Sequence, residues 1–267
     1  MKEALIIKKV QEIRTTMPRI GTRKLHYLLS ETLSEHHVEI GRDKLFDLLS
    51  DYGMLVRRRK RKKTYTTDSN HPFRKYPNLI RDMSVTAANQ LWVSDITYIC
   101  LASGFCYLSL VTDAYSRKIV GYCLYRTLER QGPLSALTRA LSQWDLHSTL
   151  IHHSDRGLQY CCLDYTTLLG SYGITISMTE KGDPYENVIA ERMNGVLKQE
   201  FGLGSTFRSF EEAETAVNKA VQIYNTQRPH GSCSYLTPER AHKEEGSLIS
   251  KWKQKAPIFE TVNLSQD

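Results

Sequence analysis

Seven consecutive cations, Arg57-Arg58-Arg59-Lys60-Arg61-Lys62-Lys63, divide this chain of 267 residues. Such a run repels itself in a compact fold, so it reads as an arm for phosphates between two differently built parts. The charge distribution agrees. Residues 1–84 hold 19 basic and 10 acidic side chains, and residues 85–267 hold 17 and 19. The net charge of +7 is therefore an excess of the first third, the pattern of a nucleic-acid-binding module joined to a part with another task. A solvated basic face is the plainer reading, and charge alone leaves the two level. A nuclear-localisation signal competes for the cationic run itself.

Several classes fall away on composition. With 40% hydrophobic and 24% charged residues the chain is of ordinary globular composition, and it has no apolar stretch of eighteen residues to span a membrane. Met1 to Thr16 lacks the apolar block and cleavage site of a signal peptide. Six cysteines are too sparse for a disulfide scaffold, so a reduced, cytoplasmic setting is expected.

Helical periodicity predicts three short helices before residue 56: Lys2 to Thr16, Thr22 to Leu33, and Arg42 to Asp51. Their short connections suit a helix-turn-helix whose third helix turns Arg42, Lys44 and Asp47 outward. A plain helical hairpin fits as well. Residues 57–84 read as the basic arm and a linker with Pro72 and Pro77. From Gln90 the pattern turns to strands: Leu91 to Cys100, Phe105 to Thr112 and Lys118 to Tyr125. A helix over Leu128 to Trp144, a strand over Thr149 to His152, a helix over Leu158 to Gly170 and a strand over Ile174 to Met178 follow. Two helices, Asn187 to Phe201 and Phe210 to Thr226, close the pattern. Three hairpin strands followed by alternating helix and strand make a mixed α/β sheet.

Three acids stand out against this pattern. Asp95 interrupts an otherwise apolar strand, where an unpaired carboxylate is costly. Asp155 follows a short strand, at the strand ends where α/β folds place their chemistry, although a turn or helix-cap role is open too. On a wheel of about 100° per residue, Asn187, Asn194 and Lys198 fall within about 60° of Glu191. Ile189, Met193, Val196 and Leu197 fall opposite, with Glu186 and Glu200 on their side. Glu191 is thus the one acid of this helix on its polar stripe, and a merely solvated stripe is the commoner fate of such a face.

At these residues the chain resembles a known family. Trp92 to Tyr98, His153 to Tyr160, and Gly182 to Asn187 look like the catalytic blocks of retroviral-integrase-like transposases. The match is to the insertion-sequence-three (IS3) family, in the product of its second reading frame. Tyr224-Asn225-Thr226-Gln227-Arg228-Pro229-His230, with Thr237-Pro238, resembles that family's C-terminal signature, and Pro18 to Arg59 its accessory helix-turn-helix. The resemblance implies a ribonuclease-H-like, five-stranded mixed α/β core over 85–242, preceded by a small all-α region over 1–56 and followed by a tail over 243–267. It implies a DDE site in which Asp95, Asp155 and Glu191 ligate the metal and Lys198 contacts DNA, with Asn187 and Arg57 to Lys63 as further DNA contacts. Glu186 stands where the family usually has Asp. Residues 1–84 carry His26, His36, His37 and His71 but no Cys, so the His/Cys zinc module of retroviral integrases is not expected.

Three carboxylates suit Mg²⁺ or Mn²⁺. Two such ions about 4 Å apart favour in-line displacement at phosphorus, first by water to free a 3′-hydroxyl and then by that hydroxyl to transfer the strand. The implied partners are element ends, target DNA, the upstream-frame product and further copies of this chain, in a bacterial nucleoid setting. A DNA-binding regulator with an inactive core and a simple metal-dependent nuclease are the alternatives. His152-His153-Ser154 lacks the glycines of a nucleophile elbow. Tyr160, Tyr185 and Tyr224 have base stacking as one reading and core packing as the other.

Overall fold

The computed structural model describes residues 2–56, 70–145, 149–180 and 187–248. Arg57, Arg58, Arg59, Lys60, Arg61, Lys62 and Lys63 lie outside the described residues, as do Tyr185, Glu186 and the tail beyond residue 248.

The first helices are α1 (Lys2–Thr16), α2 (Thr22–Glu35) and α3 (Arg42–Asp51), close to the expected spans. Each buries one apolar stripe: Ile6 and Val10 of α1 meet Leu25, Leu29 and Leu33 of α2 and Leu45, Leu48 and Leu49 of α3. Arg42, Lys44 and Asp47 are exposed.

The sheet has β1 (Leu91–Leu101), β2 (Gly104–Asp113), β3 (Ile119–Tyr125), β4 (Ile151–Ser154) and β5 (Thr175–Met178), in the order β3-β2-β1-β4-β5. β1, β2 and β3 form an antiparallel meander, and β4 and β5 continue parallel to β1. A two-residue β6 (Thr206–Phe207) also pairs with β1, at Cys100 and Leu101, adding a sixth strand too short to carry a sequence period. The helices here are α4 (Gln131–Leu141), α5 (Leu158–Cys161), α6 (Leu163–Ser171), α7 (Val188–Glu200), α8 (Phe210–Thr226) and α9 (Pro238–Ala241). The single helix expected over Leu158 to Gly170 is two, because Cys162 takes extended backbone (ψ 150°) between α5 and α6.

Alternation along β1 assigns its two faces. Trp92 and Ile96 pack with Leu137, Ala140 and Tyr165 beneath α4 and α6. Ile99 packs with Met193, Leu197 and Val217 of α7 and α8 on the opposite face. A Cβ at Gly121 would collide with the Ala136 carbonyl, so β3 needs glycine where α4 crosses it. Ile223 of α8 belongs to the apolar cluster of α1–α3, and Phe201 packs against it, so the two parts share buried surface.

The described part of the expected linker, residues 70–84, is laid along the sheet edge. Met178 N–H donates to the Pro77 carbonyl (3.2 Å), Leu79 N–H to Ser177 Oγ (2.9 Å), and Ile80 and Met83 pack near Leu91 and Val93. These contacts are long-range and leave no local period.

Candidate active site

Strand lengths create the site. β1 has eleven residues and β4 four, and they pair only from Leu91↔Ile151 to Val93↔His153. Two residues past that last pair stand Asp95 and Asp155, level with each other on neighbouring parallel tracks. Between β4 and β6, the stretch of β1 around Asp95 is covered by α7 instead of a strand. An acid on this strand is therefore tolerated at a gap in the sheet. Asp155 begins the turn into α5: its Oδ1 accepts from Gly157 N–H (2.9 Å). A Cβ at residue 157 would stand 2.9 Å from that oxygen, so glycine keeps the carboxylate accessible.

Two asparagines staple α7 along β1. Asn187, just before the helix, donates through Nδ2 to the Ser94 carbonyl (3.2 Å), and Asn194 Nδ2 donates to Asp95 Oδ2 (2.7 Å). They are 8% and 7% exposed. Glu191 lies one turn from each and is itself exposed. Asn187, expected on DNA, is thus turned inward, because a buried amide is better satisfied by the open edge of β1 than by a ligand. Asn194 is the residue that sequence reasoning passed over. The wheel placed it beside Glu191, but periodicity does not distinguish a solvated stripe from one pressed on a strand edge.

The electrostatics mark this cleft. Burial pushes the Asp95 carboxyl up to about 7, and the Asp155 charge and then that of Glu191 add to it, against opposing hydrogen bonds from Ile96 N–H and Asn194. The three carboxylates therefore sense one another. Among the described residues, no three His, Cys, Asp or Glu side chains stand close enough to hold an ion as placed. Asp95 and Asp155 are each engaged in local hydrogen bonds. The donor set nonetheless fits a hard divalent cation: it is all oxygen, open on the Glu191 side, and the Asp95 carboxyl is raised by burial and by its acidic neighbours. Lys198, two turns beyond Glu191, holds its Nζ 3.7 Å from the centroid of the Tyr98 ring. Burial pulls its pKa down to about 8, while Cys100 and Asp95 oppose that shift.

Other candidates resolve as structure. His152 Nε2 lies 2.7 Å from Ser94 Oγ and 3.0 Å from Tyr165 Oη, and burial lowers its pKa to about 3, so it is a neutral core group. His153 Nδ1 meets Ser177 Oγ (2.9 Å), and Ser154 Oγ donates to the Asp155 carbonyl (3.1 Å). Tyr160 and Tyr224 are buried, so neither is available to stack on a base. The C-terminal signature is a clasp. Tyr224 Oη donates to the Arg117 carbonyl (3.0 Å), and Asn225 pairs with both the N–H and the carbonyl of Ile119. Arg228 binds both oxygens of Glu200 at the end of α7 (2.7 and 2.8 Å), and Lys24 of α2 reaches the same carboxylate (3.1 Å). His26 meets the Ile40 carbonyl and His71 that of Arg156, as structural contacts.

Comparison with known proteins gives a consistent picture. Residues 85–184 and 172–238 each match a family described as integrase core domain. The chain is 36% identical to a 31 kDa protein of insertion element IS600 of Shigella sonnei, over 86% of this chain and 83% of that one. It is 29% identical to the transposase for insertion sequence element IS904 of Lactococcus lactis, over 81% and 94%. It is 34% identical to transposase InsF for insertion sequence IS3A of Escherichia coli K12, over 61% and 57%. A simian T-cell lymphotropic virus intasome structure superposes with a TM-score of 0.52 at 16% identity, covering 88% of this chain and 79% of that one. The likeness is one of fold, and it accords with a ribonuclease-H-like core.

Proposed function

Because the chain belongs to the IS3 family of insertion-sequence transposases, with an integrase core, we propose that it is the subunit that cuts and joins DNA, and that Asp95, Asp155 and Glu191 carry the chemistry. The observation that supports this most is that the Asp95 carboxyl, beside the gap in the sheet, is raised by burial and then by the charges of Asp155 and Glu191, two acids from distant segments. These residues would hold divalent cations, Mg²⁺ or Mn²⁺ and two in number. When bound, such ions lower the pKa of an attacking oxygen and offset charge on the leaving one.

The chain's own residues do the rest. Asn194 orients the Asp95 carboxylate, and Asn187 keeps α7 seated so that Glu191 faces the gap. Lys198 offers a cation to a phosphate near the scissile bond. Water attack in line at phosphorus frees a 3′-hydroxyl, and that hydroxyl then attacks a second phosphodiester. Each step makes one P–O bond and breaks one, with no covalent link to the protein. The cationic segment Arg57 to Lys63 and α3 supply affinity for DNA, salt-dependent as phosphate contacts are. The upstream-frame product and further copies of the chain complete the assembly on element ends.

Labelled element ends incubated with Mg²⁺ or Mn²⁺ test this reading. The wild type yields 3′-end nicks and joined molecules, with the upstream-frame product added if the chain alone is silent. Asp155→Asn and Glu191→Gln lower both products about 10³-fold or more while DNA binding persists. Binding without nicking in the wild type identifies a regulator instead, and nicking without joined product a nuclease.

A further inference from the structure

Phe105 is the most exposed phenylalanine among the described residues, at 57%. It sits at the start of β2, immediately after the β1–β2 turn at Gly104, whose φ of +136° suits glycine. A phenyl ring at such a position adds nothing to the core.

Its surroundings are not those of a stray apolar residue. In the antiparallel register Cys100 faces Phe105 and Tyr98 faces Tyr107, so Tyr98 and Phe105 share a face of the sheet as diagonal neighbours. The two rings meet edge to face, centroids 5.5 Å apart and planes at 88°. Tyr98 in turn carries the Lys198 ammonium. The ring of Phe105 is thereby fixed by its neighbour while its outer surface is left open. The arrangement is an open ring on β2 backed by Tyr98 of β1, the strand that bears Asp95, and Tyr98 in turn holds a cation. Measured along β1 at about 3.3 Å per residue, Tyr98 lies about 10 Å from Asp95 and Phe105, opposite Cys100, about 17 Å, with both rings on the face alternate to that of Asp95. These are distances of a few nucleotides.

We propose that Phe105, met edge-on by the Tyr98 ring that itself carries the Lys198 ammonium, is a stacking platform for an unpaired nucleobase of the DNA strand that passes the three acids. The proposal rests on the reading of this cleft as a DNA-processing site and adds a contact to it. A base offers a flat π-face to the open ring, and its phosphate meets the neighbouring cation. This is the pairing of aromatic and basic groups by which proteins grip single strands without reading their sequence. A protein partner would match the ring but not the adjacent Lys198, and its presence is an outcome of the test.

The test uses the full chain and short oligothymidylates carrying one 2-aminopurine, in EDTA so that no chemistry intervenes. The wild type quenches the probe and binds it. Phe105→Ala loses most of the quenching and about tenfold in affinity, Phe105→Leu loses as much although it keeps apolar area, and Phe105→Trp restores both. Unchanged quenching and affinity in Phe105→Ala overturn the platform, as does an absence of wild-type quenching. A change in sedimentation of Phe105→Ala without a change in quenching assigns the ring to a protein contact and overturns it too. A parallel joining assay on element ends keeps the two readings separate. Joining with no Phe105 effect on quenching removes the platform alone, and quenching with no nicking or joining removes the transposase reading alone.

Discussion

The two ends of α7 treat a buried carboxylate in opposite ways. Near its N-terminal half, Asp95 faces Asp155 and Glu191, and its carboxyl is pushed up to about 7 by burial and by those neighbours. At its C-terminal end, burial alone would push Glu200 up as well, but the bonds and charge of Arg228, with Lys24, overcome burial and hold it below the usual value. One carboxylate is left short of positive charge and the other is oversupplied with it. The first arrangement costs stability, whereas the second closes a joint. Both depend on the same helix, so the contrast separates what α7 does for chemistry from what it does for the fold.

Breaking the joint gives the largest expected change. Arg228→Ala leaves Glu200 without its bidentate partner and is expected to cost about 3–5 kcal/mol in urea unfolding. The double replacement Arg228→Met with Glu200→Leu should regain most of that, since an apolar pair leaves no stranded charge. A loss no larger for Arg228→Ala than for an exposed arginine would erase the contrast.

Asp95→Asn should move stability the other way. A carboxyl whose folded pKa lies above its unfolded value stabilises the fold while protonated, and that contribution is lost as pH rises through about 7. At pH 8 in EDTA the amide variant is therefore expected to be more stable than wild type, by on the order of 2 kcal/mol, and the difference should shrink towards pH 5. The same variant abolishes joining. Thermal melts at the two pH values check the sign, and a variant less stable at pH 8 would put Asp95 in the same class as Glu200.

The smallest effect tests how widely the joint extends. Tyr27 of α2 stacks on Tyr235, centroids 4.8 Å apart at 15°. Tyr27→Ala is expected to cost about 0.5–1.5 kcal/mol, read by the same denaturation. A cost equal to that of Arg228→Ala would shift the weight of the joint from charge to stacking.

How far the sequence carried depended on whether a feature has a local period. The span of α8, Phe210–Thr226, was readable from its apolar spacing, as were the three first helices and the meander. Asp95 stood out because an acid on an apolar strand violates local expectation, whereas Asp155 and Glu191 each had a commoner reading and were joined to it by the family resemblance. What stayed hidden was set by distant pairing. Asn194 looked like surface until β1 ran out of strand partners beside it. Residues 70–84 looked like a tether because the Ser177 hydroxyl that fixes Leu79 is 98 positions away. Glu200 fell on the apolar side of the wheel, where an acid looks misplaced, and Arg228, 28 positions on, with Lys24, 176 positions back, explains it. Phe105 carried no signal, since nothing local marks a strand-end ring as open.

Glu191 and Glu200 ride one stiff rod, about 14 Å apart at 1.5 Å per residue. Lys24 of α2 and the Arg19 N–H both meet Glu200, so a displacement of α1–α3 bears on the end of the helix that carries Glu191.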